Sequence, residues 1–226
     1  MKTLYKTILI LATISLFISI FLFTLDIISF NKNFYKKEYQ KLNISENMEI
    51  TDDELYKATW TLLDYIKDDI DTLDLTVSID GSNVEMFNDK EKLHMIDVKN
   101  LYLNAMKINL LLCIFTICTF MLIIKSNYKL IYDICSTILN VFMYLIISLI
   151  GLGILLLVDF NQFWLNFHYI FFTNDLFFLD PSTDRLIQMV PLEFFFDLVI
   201  LISVTYLFVI SLIALVSYFI RRKLYD

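Results

Sequence analysis

Long apolar runs alternate with polar stretches along the chain. Four of the runs, roughly residues 8–30, 108–124, 130–158 and 195–220, are long enough to cross about 30 Å of hydrocarbon as helices. The second is the shortest, but it can extend upstream through Leu101, Tyr102 and Leu103. The pattern predicts an α-helical polytopic membrane protein with four transmembrane helices and a small α+β extracellular cap. Its expected parts are a first span over 1–30, the cap over 31–100, a second span over 101–125 and a third over 129–159. An aromatic-rich interfacial segment over 160–193, a fourth span over 194–220 and a tail over 221–226 complete it. The first run is too long for a cleaved signal peptide and no small-residue cleavage site follows it, so it is read as a retained helix.

Between the first two spans, residues 31–47 read as polar and irregular. Thr51 with Glu54 three residues on makes a capping box. Leu55, Ala58, Leu62, Tyr65, Ile66 and Ile70 follow at helical spacing, which predicts an amphipathic helix of about five turns. Residues 73–80 alternate apolar and polar, as in a half-buried strand. Asp80-Gly81 supplies a turn and 84–87 a weaker return strand. Asn88-Asp89-Lys90-Glu91 reads as the cap of a further helix, uninterrupted by Gly or Pro, that carries His94 and Asp97 on one face and continues into the second span.

The segment 160–196 holds 12 aromatics in 37 residues, twice the 16% of the whole chain. Phe160, Phe163, Trp164, Phe167 and Phe171 recur at helical spacing as an apolar stripe. Asn161, His168 and Asp175 recur at seven beside it, so the helix is expected to lie in the membrane interface. Asp180-Pro181 looks like an N-cap with proline at the first helical position, opening a short helix through Ser182–Arg185. Pro191 opens the last span, with Glu193 and Asp197 in its first turns, where the helix dipole favours carboxylates.

Charge sets orientation. Lys2, Lys6, Lys125, Lys129, Arg221, Arg222 and Lys223 fall on one side, which is therefore expected to be cytoplasmic with both termini. The net charge of −7 arises in 31–100, where 16 acidic residues face 9 lysines. Such a surface does not suit nucleic acid or anionic headgroups, and a solvated face is its plain meaning. Cys113, Cys118 and Cys135 lie in or beside the spans at spacings that match no metal motif, and serve as small packing residues. No charge sits mid-membrane, which argues against an ion or proton pathway.

The chain has two histidines, His94 and His168, both beside the outer ends of predicted spans. Imidazole is the side chain best suited to moving protons near neutral pH, and two at one membrane depth read as one site. Each has a plain alternative: His94 as an interfacial residue beside a helix-stabilising Asp97, His168 as a polar-tipped anchor in an aromatic belt. A metal site is poorly supported because the donors have no recognised spacing. A serine hydrolase is weaker still, since Ser182 and Thr183 lack a glycine-flanked elbow.

Two segments carry a resemblance: His94-Met95-Ile96-Asp97-Val98, and Phe167-His168-Tyr169-Ile170-Phe171-Phe172-Thr173-Asn174-Asp175-Leu176 followed by Leu179-Asp180-Pro181, Asp184 and Pro191. Together with the order of one span, a cap and three spans, they resemble the bacterial lipoprotein intramolecular transacylases over essentially the whole chain. Phe177 departs from the tryptophan expected in many relatives, which bears on substrate fit more than on chemistry.

The resemblance implies a plasma-membrane acyltransferase with its site at the extracellular face. It would move the sn-2 acyl chain of a diacylglyceryl lipoprotein to the α-amino group of the N-terminal cysteine, giving the lyso-form. His94 and His168 would be catalytic, with Asp97, Asn174 and Asp175 supporting or orienting them. Phe163, Trp164, Phe167, Phe171, Phe172 and Arg185 would line the substrate pocket. No cofactor, metal or nucleic acid is expected. Membrane lipids would surround the chain, and a monomer suffices. Two other classes remain open: a non-catalytic four-span envelope protein whose cap binds a partner, and a membrane esterase or lipase.

Overall fold

The computed structural model describes residues 2–79 and 81–225. Among them, four helices are long and apolar enough to cross a membrane: α1 (Lys2–Ser29), α5 (Asp89–Ser126), α6 (Ile131–Val158) and α9 (Leu192–Tyr225). Between them in sequence lie α2 (Lys32–Leu42), α3 (Ile44–Asn47), α4 (Asp52–Ile66), β1 (Thr76–Ile79), β2 (Ser82–Glu85), α7 (Phe160–Phe171) and α8 (Arg185–Met189). The chain divides into two compact units. One comprises Met1–Asp26, Met106–Asp159 and Leu201–Asp226; the other comprises Ile27–Ala105 and Phe160–Ile200.

The first unit is a helical bundle. Leu9 and Phe17 of α1, Ile123 of α5, Ile134 and Ile138 of α6, and Tyr206 and Ile210 of α9 form one buried apolar cluster. Helices surrounded by lipid gain little from apolar burial against one another, so close packing and polar bonds matter more. The Ser19 hydroxyl donates to Asn109 Oδ1, Thr116 Oγ1 to the Ala12 carbonyl at 3.2 Å, and the Tyr206 hydroxyl to the Phe17 carbonyl at 3.1 Å. Buried Asn109 and Ser19 thus join α5 to α1, a role that their isolated positions in apolar runs did not signal.

The second unit corrects several expectations. Residues 31–47, read as irregular, form α2 and α3. Asn31 caps α2 by accepting from the Asn33 N–H at 3.0 Å, and Asn43 ends it in the left-handed conformation at φ 50°. Helix α2 forms because Phe34, Tyr35, Glu38 and Tyr39 share one buried face. That face packs on α4 and on the start of α9: Phe34 lies 5.3 Å from Phe194, Tyr35 6.2 Å from Trp60, and Tyr39 donates or accepts at 2.8 Å with Thr59. The lysines between these aromatics masked the pattern.

Thr51 caps α4 as expected, accepting from the Glu54 N–H at 3.3 Å. The helix stops at Ile66 rather than Ile70, and Asp68 adopts φ 68°. Three aspartates at 68, 69 and 71 would meet the negative end of the helix dipole there. In the hairpin, Ile79 pairs with Ser82 and Thr76 with Glu85. The return strand therefore begins two residues earlier than expected, straight after the turn in which Gly81 takes φ +75°; Asp80 lies outside the described residues. Past β2, Met86 still donates its N–H to the Leu75 carbonyl at 2.7 Å, and Met86 and Phe87 are fully buried.

Phe194 is nearly fully buried among Phe34, Tyr35 and Tyr39. Phe194→Ala should cost about 3–5 kcal/mol, read as a lower thermal unfolding midpoint of the purified protein in detergent; an unchanged midpoint would contradict this packing.

Candidate active site

Helix α5 begins with a reciprocal capping box. The Glu91 N–H donates to Asn88 Oδ1 at 3.0 Å, and the Asn88 N–H donates to Glu91 Oε2 at 2.7 Å. One turn further on, His94 projects into the second unit and is 6% exposed. Helix α7 carries His168 from the opposite part of the sequence. The two imidazole rings lie 6.0 Å apart between centres, tilted by 32°.

Aromatic side chains enclose the pair. Phe172 stands edge-on to His94 at 5.4 Å and lies 5.7 Å from His168. Phe177 lies 4.8 Å from His168, and Trp164 meets it edge-on at 5.1 Å. Trp164 in turn stacks on Phe167 at 5.2 Å and on Phe195 at 4.4 Å. The stripe expected on α7 is thus a ring stack that fixes the His168 rotamer.

The two histidines differ in their bonds. His168 Nδ1 lies 2.8 Å from the Trp164 carbonyl oxygen. A carbonyl only accepts, so neutral His168 carries its proton on Nδ1 and keeps a lone pair on Nε2. Burial pushes the His168 pKa below the ordinary imidazole value, against the opposing pull of that carbonyl. His94 Nδ1 is buried and has no hydrogen-bond partner among the described residues. A buried polar atom left unpaired costs about 1–3 kcal/mol, so its retention calls for an explanation.

The other expected site residues are distributed unevenly. Asp97 Oδ2 accepts from the Asn174 side-chain amide at 2.8 Å, so these two are brought together, and among the described residues Asp97 makes no hydrogen bond to His94. Asn174 Oδ1 also accepts the Leu176 N–H at 3.1 Å. Asp175 falls beyond the end of α7, in an exposed turn closed by Phe178 N–H to the Asp175 carbonyl at 3.2 Å. It therefore does not continue the stripe of Asn161 and His168. Phe163 stacks on Phe160 at 6.1 Å, and Phe171 packs on Phe167 at 4.8 Å while staying half exposed. Arg185 donates through Nη1 to the Glu85 carbonyl at 2.9 Å, which ties it to the end of β2.

The short helix expected over 182–185 begins only at Arg185. Asp180 instead folds residues 180–184 into a turn, its carboxylate accepting from the Ser182 N–H at 2.9 Å and from the Ser182 hydroxyl at 2.7 Å.

Phe177, noted in the sequence only for substrate fit, packs on His168, while Glu91 and Asp184 were not read as supports of the site. Glu91 is 1% exposed, and its Oε1 accepts the Leu186 N–H at 2.5 Å. Asp184 is buried and accepts from the Asn88 amide at 2.9 Å, the Asp180 N–H at 2.8 Å and the Thr183 hydroxyl at 3.1 Å. Burial would raise the Asp184 pKa, but these bonds and nearby Lys90 outweigh it and hold the carboxyl below its usual range. The capping-box spacing signalled Glu91 as a helix cap, but not its bond across the unit. No group of three His, Cys, Asp or Glu side chains is placed to hold a metal ion among the described residues.

The model of the family described as lipoprotein intramolecular transacylase Lit matches residues 10–195 of the chain. Solved structures of the membrane integral lipoprotein intramolecular transacylase Lit from Bacillus cereus share the fold. One has a TM-score of 0.76 at 22% identity and covers 99% of this chain and 97% of that one. A form with a histidine-to-alanine mutation has a TM-score of 0.72 at 22% identity, covering 99% and 94%. A histidine-to-arginine form has a TM-score of 0.72 at 21% identity, covering 99% and 92%. No curated protein sequence matches the chain.

The His168 bond can be read directly. At pH 7, nitrogen-15 NMR of labelled protein should find His168 as the neutral Nδ1–H tautomer, taking up a second proton only below about pH 6.5. Because its folded pKa is lowered, acidification through that window protonates the unfolded chain more readily and destabilises the fold. An Nε2–H tautomer, or protonation above the ordinary value, contradicts the assignment.

Proposed function

The chain belongs to the lipoprotein intramolecular transacylase family, and from that premise we propose that His94 and His168 are the groups that receive the reacting amine. The enzyme is an intramolecular acyltransferase acting on lipoproteins. The substrate is a diacylglyceryl lipoprotein, and the chain that moves is the sn-2 acyl group, from the glyceryl oxygen to the α-amino nitrogen of the first cysteine. The site faces the outside of the cell membrane and both termini face the cytoplasm, as the lysines and arginines flanking the spans support.

In the cyclic intermediate, nitrogen, Cα, Cβ, sulfur, two glyceryl carbons, the ester oxygen and its carbonyl carbon close an eight-membered ring. Medium rings close poorly in free solution, so holding amine against ester is the larger part of the catalytic task, and effective concentration is the lever. The aromatic walls around the histidines supply a mould for that folded conformer. They also exclude the water that would hydrolyse the ester.

A neutral primary amine has two N–H groups and one lone pair. One N–H is bound by Nε2 of His168, which has a lone pair there because its proton is held on Nδ1 by the Trp164 carbonyl. The other is bound by the free nitrogen of His94. Two such bonds of about 3 Å each, at a tetrahedral angle, need acceptors about 5 Å apart, which suits rings whose centres are 6.0 Å apart. The nitrogen lone pair then faces the ester carbonyl. As the N–C bond forms, His94 takes the amine proton. As the C–O bond breaks, it returns that proton to the glyceryl oxygen, so no external nucleophile is consumed. Asn174, oriented by Asp97, assists the carbonyl oxygen as it becomes negative. The observation that carries this reading is a buried, unpartnered nitrogen on His94, whose ring centre lies 6.0 Å from a second imidazole fixed as an acceptor.

The test is made in a bacterial host that cannot N-acylate its own lipoproteins, by mass spectrometry of lipoprotein N-terminal peptides. The wild-type chain should give N-acyl lyso-form termini, and His94→Ala should lower their formation by roughly 10²–10⁴-fold. His168→Ala should lower it less, since it removes an orienting bond and not the proton acceptor. Normal N-acylation by both variants contradicts the site; free lysolipid termini would indicate an esterase, and untouched diacylglyceryl termini a binding protein.

A further inference from the structure

The non-helical segment from Phe172 to Asp184 brings Phe172 and Phe177 against the two histidines, and bonds to other elements add to the turns it makes by itself. Along its length it is bonded to the outer turns of α5 and the strand before them. Asn174 donates to Asp97 Oδ2 at 2.8 Å. Lys90 Nζ donates to the Phe178 carbonyl and lies 3.6 Å from Asp184 Oδ2. Asn88 donates to Asp184 Oδ1 at 2.9 Å, and Arg185 reaches the Glu85 carbonyl. At the centre, with 1% exposure, the Glu91 carboxylate accepts the Asn88 N–H on one oxygen and the Leu186 N–H on the other.

We propose that Glu91 is a positioning residue for the acyl shift: it pins the strap 172–186 to the helix that bears His94. The inference rests on reading the histidines as the reacting pair. Glu91 lies one turn from His94 and, among the contacts of the described residues, bonds to neither imidazole, so it acts through Phe172 and Phe177. These rings are set by the strap and pack on the imidazoles at 4.8–5.7 Å.

A carboxylate suits the position because both its oxygens accept, and both face backbone donors. A carboxamide has one acceptor and one donor group. Glu91→Gln keeps the shape but sets an NH2 against the N–H of either Asn88 or Leu186, leaving two donors face to face in a buried place. The exposed contacts of Lys90 and Asn174 are individually weak. Beside the buried Asp184 carboxylate that Asn88 holds, Glu91 is therefore the most deeply buried tie between α5 and the strap.

The experiment uses the full-length enzyme in detergent with a synthetic diacylglyceryl lipopeptide. It measures turnover at saturation, KM, the thermal midpoint and the rate at which diethylpyrocarbonate modifies His94, the last by peptide mass spectrometry. Glu91→Gln should reduce turnover at saturation at least about tenfold while KM moves less than about threefold, because it is orientation at the reacting centre that is lost. His94 should be modified at least about fivefold faster, since the opening is local. A fold-stability role alone would lower the midpoint without changing His94 modification at temperatures well below it. Glu91→Asp, which keeps two acceptors on a shorter arm, should recover part of the turnover.

Should Glu91→Gln not fold, Glu91→Asp decides, because its shorter arm keeps the charge and both acceptors but cannot reach the Asn88 and Leu186 N–H groups equally well. Faster His94 modification with slower turnover supports the strap. Wild-type turnover in the variant that folds overturns the positioning role, whether or not His94 becomes reactive. Failure of the histidine assignment itself would appear separately, as normal N-acylation by the His94 and His168 variants.

Discussion

Two buried carboxylates satisfying backbone N–H groups hold the candidate site in shape. A non-helical segment packed against aromatic rings has no ladder of its own to satisfy its amides, and each buried orphan would cost as much as a lost hydrogen bond. Asp184 takes up one such donor, the Asp180 N–H, and Glu91 takes up two at neighbouring helix starts, the N–H groups of Asn88 before α5 and Leu186 in the first turn of α8. Charged acceptors make stronger bonds than neutral ones, so these carboxylates fix where the strap lies. The position of Phe172 and Phe177 follows from that, and the aromatic enclosure of His94 and His168 follows from theirs.

The chemistry of the family explains why such rigidity is worth building. The acyl group, its donor oxygen and its acceptor nitrogen all belong to one molecule. Recognition of a second substrate is absent, and so is any need for a covalent relay. What remains is to hold a medium ring closed, keep water away and move one proton between two atoms a short distance apart. In the mechanism proposed above, an enclosed imidazole pair does this with little else, provided the rings are neutral at working pH. Burial favours that state for His168, and the Trp164 carbonyl selects which of its nitrogens can accept.

Much of this was legible in the sequence because it is local. The four spans follow from run length, the α4 cap from Thr51 and Glu54, and the α7 stripe from aromatics at helical spacing. Pairing His94 with His168 came from counting a rare residue and judging membrane depth. The parts that were not legible depend on contacts between distant segments. Helix α2 is stabilised by Phe194, far along the chain, and its own lysines disguised its buried face. The turn at 180–184 looked like a helix start because Asp-Pro serves both; the side chain of Asp180 closing on Ser182 settled it. The shared helix face put Asp97 beside His94, but not the bond its carboxylate accepts from Asn174, in a segment that no helical spacing could predict. Glu91 announced itself only as a cap, and its second oxygen reaches a donor 95 residues away in sequence.

The claim at the centre is that one lipoprotein molecule folds back on itself between the two histidines, and a crossover measurement tests it most directly. Two diacylglyceryl lipopeptides of different peptide mass, one carrying deuterated acyl chains, are mixed with the enzyme and the N-acylated products read by mass spectrometry. Transfer within a single enclosed substrate predicts that every deuterated N-acyl group appears on the peptide it started from. Deuterated chains on the other peptide, or released as free fatty acid in proportion to the product, would contradict it.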